Sequence, residues 1–146
     1  MFDTKVEFKD LILSLSYKAN LYSCKYLFMK TLVLGASPKE ERYSNMAAKS
    51  LRRHGHEIVA IGAKENDGEI KIIEGTPALE DIDTISLYLN PKRQEQYYDY
   101  ILSLKPRRVI FNPGTENGEL QELLAKSGIE SEIACTLVLM SEFCSI

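Results

Sequence analysis

The sequence predicts an α/β fold, a doubly wound parallel sheet of about five strands with helices on both faces, in three layers. Three observations carry this. From Lys30 onward, strand-like and helix-like segments alternate along the chain. The strand segments are continuous apolar runs, such as Thr31-Leu32-Val33-Leu34 and Val109-Ile110-Phe111, as expected of strands buried on both faces. The first run ends in Gly35-Ala36-Ser37-Pro38, a turn of small residues that lets an anion approach the backbone and the N–H groups of a following helix. Right-handed crossovers between parallel strands then give a compact domain.

Each element has its own signal. A strand at 31–35 leads to a helix at 44–54, with Ser44 as N-cap and Gly55 as the stop. A strand at 57–62 runs into a polar, glycine-containing stretch. Residues 70–73 fit either a short strand or an extended connector. Gly75-Thr76-Pro77 is a turn, and 78–81 reads as a single helical turn. The run 84–89 is rich in strand formers. Asn90 then caps a helix with Pro91 at its first position, and Tyr97, Tyr98, Ile101 and Leu104 supply its apolar side. Tyr97, Tyr98 and Tyr100 read as helix packing rather than a stacking platform. A strand at 108–112 is broken by Pro113-Gly114. A helix follows from Thr115 or Glu116 to Ser127, with Gly128 at its end. Residues 130–135 form the last strand and 136–143 a terminal helix.

Composition narrows the function classes. The chain has 146 residues, 45% hydrophobic and 27% charged, with a net charge of −3. That is long enough for one domain with a real core and too short for two ordinary ones. The acidic balance argues against general attraction to nucleic acid or to an anionic membrane. Cys24, Cys135 and Cys144 are odd in number, widely spaced and without a C-x-x-C, so neither a disulfide framework nor a zinc site is expected. A reducing, cytoplasmic setting is the simplest home. His54 and His56 flank Gly55 at a helix end; metal binding would need more ligands converging there, so a surface or helix-end role is the expectation.

Residues 1–29 stand outside the alternation, and 30–146 read as the domain. Leu11-Ile12-Leu13-Ser14-Leu15 is too short to span a membrane and carries no secretory cleavage pattern. Met29-Lys30 opens directly onto the first strand, so Met29 reads as the natural start and the preceding segment as an extension. A docking helix over 6–27 is the equal alternative.

In sheets of this kind, ligands bind outside the C-terminal strand ends, where the strand order reverses. Four segments converge there: 35–45, 62–65, 88–93 and 112–117. A dinucleotide fingerprint would show G-x-G-x-x-G and, about 20 residues on, an acid for the ribose diol. Only Gly35 of those glycines is present, and Lys64 stands where the acid belongs, with Glu65 after it. A cation there suits a nucleotide with a phosphate on its ribose. The same Gly35-Ala36-Ser37 also fits a plain strand-to-helix turn.

These segments resemble the CoA-binding domain family, small stand-alone Rossmann-like proteins similar to the N-terminal domain of the succinyl-CoA synthetase alpha subunit. The resemblance covers about residues 30 to 142. It rests on Val33-Leu34-Gly35-Ala36-Ser37, Arg42-Tyr43-Ser44, His54-Gly55-His56-Glu57-Ile58, Gly75-Thr76-Pro77-Ala78-Leu79, Pro91 and the glycine loop after the fourth strand. Gly62-Ala63 replaces the usual Asn-Pro after strand two. The arginine common before the post-strand-three proline is absent, Lys92 and Arg93 following it instead. Glu132-Ile133-Ala134-Cys135 stands where many relatives carry Asp-Arg-Cys.

The resemblance implies coenzyme A or an acyl-CoA as ligand, and the residues offer the chemistry. Gly35, Ala36 and Ser37, with the helix start at Tyr43, Ser44 and Asn45, suit the pyrophosphate. Arg42 and Lys64 suit phosphate charge, although Arg42 equally fits an exposed loop position. Asn90 and Pro91 offer a wall for adenine, with Arg93 near phosphate, and serve helix initiation equally well. Asn112, Pro113, Gly114 and Thr115 read either as a loop facing the pantetheine or acyl part, or as a turn with Thr115 as helix N-cap.

No catalytic constellation is visible in the sequence. Cys135, at a strand end before a helix, is the one residue suited to covalent chemistry, and a space-filling buried thiol is the favoured reading. A non-catalytic CoA-binding module is therefore the leading expectation. An NAD(P)-dependent oxidoreductase and a ligand-free interaction protein on the same fold are the alternatives. A protein partner or a homodimer stays open.

Overall fold

The computed structural model describes residues 29–143, so the readings made for residues 1–28 lie outside it. Its core is a seven-stranded sheet in the order β3-β4-β2-β1-β5-β6-β7. The strands are β1 (Lys30–Ala36), β2 (Glu57–Gly62), β3 (Asn66–Asp67), β4 (Lys71–Glu74), β5 (Thr84–Leu87), β6 (Arg108–Phe111) and β7 (Glu130–Ile133). All neighbours are parallel except β3, which runs antiparallel to β4. The helices are α1 (Tyr43–Arg53), α2 (Pro91–Gln94), α3 (Tyr98–Leu104), α4 (Gly118–Lys126) and α5 (Thr136–Phe143), with one 3₁₀ turn at Glu95–Tyr97 joining α2 to α3.

Two apolar clusters make the three layers. Leu32 and Leu34 of β1 face the helices α3 and α4, packing with Ile61, Ile85, Ile101, Phe111, Leu120 and Leu124. Val33, between them, faces the other way, toward Ala48 and Leu51 of α1 and Met140 of α5. This opposite-face alternation within an uninterrupted apolar run is what a strand covered on both sides requires. The doubly wound fold expected from the sequence is therefore present. Among the described residues, no helix is long and apolar enough to cross a membrane.

The sheet is wider than about five strands. Residues 71–74 pair with β2, with Ile72 buried opposite Ala60, and residues 66–67 turn back on them through Gly68, whose N–H bonds Asn66 Oδ1 at 2.8 Å. A four-residue strand has no periodicity of its own; only the partner strand defines it. Residues 78–81 form no helical turn, and Asp81 sits at φ 59°.

Two helix starts differ from expectation. The N-cap of α1 is Arg42, in extended conformation and without a side-chain cap, while Ser44 lies inside the helix. Ser44 Oγ accepts instead from the N–H of Ser37 (3.2 Å), a more distant donor that local capping rules do not foresee. The helix after β6 begins at Gly118, capped by Asn117, whose Oδ1 accepts from the N–H of Leu120 (3.2 Å). Thr115 Oγ1 donates back to the Asn112 carbonyl (2.7 Å) and so is not the cap. Asn90, by contrast, caps α2 as expected, accepting from the N–H of Arg93 (3.0 Å).

At the opposite end of the sheet, His56 is buried, its Nδ1 3.3 Å from the Met29 carbonyl and its Nε2 without a partner among the described residues. Burial holds its pKa below the ordinary 6.5, with His54 and Arg108 adding to the effect and Asp83 opposing it. An unfolded chain takes up this proton as pH falls through about 6.5, while the folded protein resists it. The His56 contribution to stability is therefore full above about pH 6.5 and is lost as pH falls toward the folded-state pKa. Urea unfolding at pH 7.5 and 5.5 should show wild type losing stability at the lower pH, at no more than about 1.4 kcal/mol per pH unit. His56→Phe should lose less over the same interval. Equal losses in the two proteins would remove His56 as the cause.

Candidate functional site

The chain leaves β1 on one side through β2 and β4, then crosses back to lay β5 against the other edge of β1. The strand order therefore reverses between β1 and β5, where an open doubly wound sheet leaves a crevice at its C-terminal edge. A cleft of about 530 Å³ lies there. That is within the range of small-molecule sites.

Three walls enclose it. The first is the turn after β1 and the start of α1: Gly35, Ala36, Ser37, Pro38 and Lys39, then Arg42, Tyr43 and Ser44. Gly35 has φ 98° and falls out of the β1–β2 register as a bulge. The α1 segment braces this turn: Ser44 takes the Ser37 N–H, and Asn45 Nδ2 donates to the Ser37 carbonyl (2.9 Å). The Ser37 amide is thus already engaged. The N–H groups of Tyr43 and Ser44, in the first turn of α1, have no acceptor within the helix and lie at its positive end. The second wall is Ala63 and Lys64 beyond β2, and the third is Tyr88, Leu89 and Arg93 beyond β5 with Pro113 beyond β6.

Of the residues singled out in the sequence, Gly35, Ala36, Ser37, Arg42, Tyr43, Ser44, Lys64, Arg93 and Pro113 meet around this cleft. Asn45, Asn90, Pro91, Asn112, Gly114 and Thr115 are not among its lining residues. Asn112 is 1% exposed and turns inward: Nδ2 donates to Ser86 Oγ and to the Leu87 carbonyl, both at 2.9 Å, and Oδ1 accepts from the Thr136 N–H at 2.8 Å. Thr115 is buried with its hydroxyl bonded locally. Lys39 and Tyr88 are lining residues the sequence did not single out. Lys39 directly follows the Gly35-Ala36-Ser37-Pro38 turn, a position where a cation was legible in principle.

The charge lining this cleft is of one sign. Lys39, Arg42, Lys64 and Arg93 surround it, and no carboxylate lines it. Among the described residues, none of these four side chains makes a hydrogen bond or ion pair. Several cations elsewhere are paired, Lys49 with Glu40 and Glu69, Arg52 with Glu69, Arg107 with Asp83, and Arg108 with Glu132. Among the described residues Arg53, Lys71, Lys92, Lys105 and Lys126 are not, and it is their convergence on one crevice that marks the four. In a chain of net charge −3, four unpaired cations on one crevice form a local positive field.

Tyr88, on the third wall, is neutral. Burial pushes the Tyr88 phenol up to about 12, against the hydroxyls of Ser86 and Thr136, so it stays protonated throughout the physiological range. Tyr43 offers the opposite: an aromatic side chain, 70% exposed, at the cleft mouth. Cys135 is a partly exposed thiol without a disulfide, and it is not among the cleft's lining residues. Among the described residues, no three His, Cys, Asp or Glu side chains cluster to hold a metal.

Fold and cleft together define a doubly wound domain with a cation-rimmed crevice at the C-terminal edge of its sheet. The chain belongs to the CoA binding domain family, whose sequence profile matches residues 29–141. Among solved structures it is 52% identical to an uncharacterized protein, with TM-score 0.75, covering 78% of this chain and 95% of that one. The fold is shared with a Thermus thermophilus protein called cell-free ID.343 (19% identity, TM-score 0.72, 84% and 96% covered). It is shared too with a hypothetical protein from Pyrococcus horikoshii OT3 (22% identity, TM-score 0.72, 84% and 89% covered). No curated protein matches the chain.

Proposed function

We propose that the cleft binds coenzyme A or an acyl-CoA and that the protein is a binding module without catalysis of its own. The observation that carries this reading is the set of four unpaired cations, Lys39, Arg42, Lys64 and Arg93, around a crevice lined by no carboxylate. Coenzyme A brings a pyrophosphate and a ribose 3′-phosphate, more negative charge than NAD. An NAD site wants an acid for the ribose diol, and Lys64 occupies that region instead. On this reading the amides of Tyr43 and Ser44 and the Arg42 fork take the pyrophosphate. Lys64 or Arg93 takes the 3′-phosphate, and the exposed Tyr43 ring covers the adenine. Membership of the CoA binding domain family supports the same ligand class.

Thermal shift against coenzyme A, dephospho-CoA, acetyl-CoA, NAD(H) and NADP(H) tests this, because a ligand that binds only the folded state raises its stability. Coenzyme A should stabilise more than dephospho-CoA, and both more than NAD. A shift with NAD(H) alone overturns the reading in favour of an oxidoreductase, and no shift with any of them leaves an interaction protein. Arg42→Ala should keep the fold, since its side chain holds nothing within the protein. By titration calorimetry it should weaken coenzyme A by about 1.5–3 kcal/mol, the usual worth of a hydrogen bond to a charged group. Unchanged affinity would make Arg42 a solvated loop residue.

A further inference from the structure

Gln94 was not singled out in the sequence, and nothing in its neighbourhood along the chain marks it. It is the last residue of α2 and has no exposed surface. Its Nε2 donates twice, to the Leu89 carbonyl (2.8 Å) and to the Thr115 carbonyl (2.7 Å). Its Oε1 accepts from Asn117 Nδ2 (2.9 Å), and the same Asn117 amide donates to Tyr98 Oη (2.8 Å). Both donors and the acceptor are used, and the three partners belong to two different loops. One follows β5, carries Leu89 and leads into α2, where Arg93 stands; the other follows β6 and carries Pro113.

We infer that Gln94 is a positioning residue: its side-chain amide clamps the β5 and β6 loops together and holds Arg93 over the cleft. The inference rests on the binding role proposed for Arg93 and adds the element that fixes it. Arg93 is exposed and unpaired, so nothing in its own side chain orients it. The residue next to it is tied on three sides. A buried amide with its donors and acceptor all engaged costs little to keep and much to disturb, because losing it takes a donor from the Leu89 and Thr115 carbonyls and one of two acceptors from the Asn117 amide. Arg93 can serve a phosphate only if that loop stays in place, which is the general condition for a preorganised site.

The test uses Gln94→Met, of similar volume and without hydrogen-bonding atoms, alone and combined with Arg93→Ala or Lys64→Ala, with coenzyme A titrated calorimetrically. Gln94→Met should weaken coenzyme A by on the order of tenfold. In its background, Arg93→Ala should cost much less than it does in wild type, while Lys64→Ala, on the other wall, should cost the same in both. A merely structural loss would reduce all affinities together and leave both factors unchanged, and that result overturns the inference. An unchanged affinity of Gln94→Met also overturns it.

A ligand-free readout keeps this separate from the choice of ligand. Backbone amide exchange at 88–94 and 114–117 should accelerate together in Gln94→Met, with the β2 amides unaffected. Should wild type fail to bind coenzyme A, the functional reading falls and this exchange pattern still decides the clamp. Should Gln94→Met not fold, Gln94→Glu serves. Its carboxyl keeps the shape and can still accept from Asn117, but once ionised it cannot donate to the two carbonyls. Its affinity relative to wild type should fall as pH rises, and a constant ratio would count against the clamp.

Discussion

Gly35→Val should unfold or severely destabilise the protein, and with that abolish ligand binding. A Cβ at Gly35 would stand 2.8 Å from the Tyr88 carbonyl carbon and 3.0 Å from the Leu89 nitrogen and Cγ. Two of these are backbone atoms of the neighbouring strand's extension and cannot turn aside. The φ of 98° adds a second cost, since a β-branched residue is poorly tolerated there. Left-handed backbone contributes about 1–2 kcal/mol and overpacking about 1–3 kcal/mol, a large part of a domain's stability. Urea unfolding of Gly35→Ala and Gly35→Val measures it, with alanine the milder of the two. The glycine is thus required first by the approach of β1 to the β5 extension, whatever an anion requires of it. Wild-type stability in Gly35→Val, with binding alone lost, would reverse that order.

Asn112→Ala should cost about 3 kcal/mol, because it takes the Asn112 partner from the Leu87 carbonyl and the Thr136 N–H in the interior, at about 1–3 kcal/mol for each, and removes one of the two partners of the Ser86 hydroxyl. The other partner of that hydroxyl, Thr136 Oγ1 at 2.8 Å, remains. Asn112→Asp should be comparably harmful at neutral pH and partly rescued on acidification. A protonated carboxyl regains one donor, whereas a carboxylate faces the Leu87 carbonyl. Any folded fraction should bind coenzyme A as wild type does, since this side chain points away from the cleft. A loss of affinity with stability intact would return Asn112 to the binding loop.

Asn112 shows where the sequence is ambiguous. Asparagine before Pro-Gly at a strand end is a turn signal, and turn residues are generally exposed and available. Its inward orientation depends on Ser86 and Thr136, from β5 and the start of α5, which no local pattern connects to it. The helix starts fail for the same reason. Ser44 and Thr115 are good caps by type, but each hydroxyl finds a different backbone partner, and Arg42 and Asn117 take the positions.

What the sequence by itself determined was the order and kind of the main elements, the parallel two-faced sheet and the sheet edge at which the cleft opens. Those follow from local causes: continuous apolar runs, the Asn90-Pro91 start, and a glycine where the chain must turn sharply. The tertiary structure alone decided the added strands β4, defined by pairing with β2, and β3, defined by pairing with β4. It also decided that Lys39, Arg42, Lys64 and Arg93 share one crevice, and that Gln94 ties two of its loops together. The physical reason is range: backbone preference and apolar patterning act over a few residues. The choice of a hydrogen-bond partner and the meeting of like charges depend on segments that only the folded sheet brings side by side.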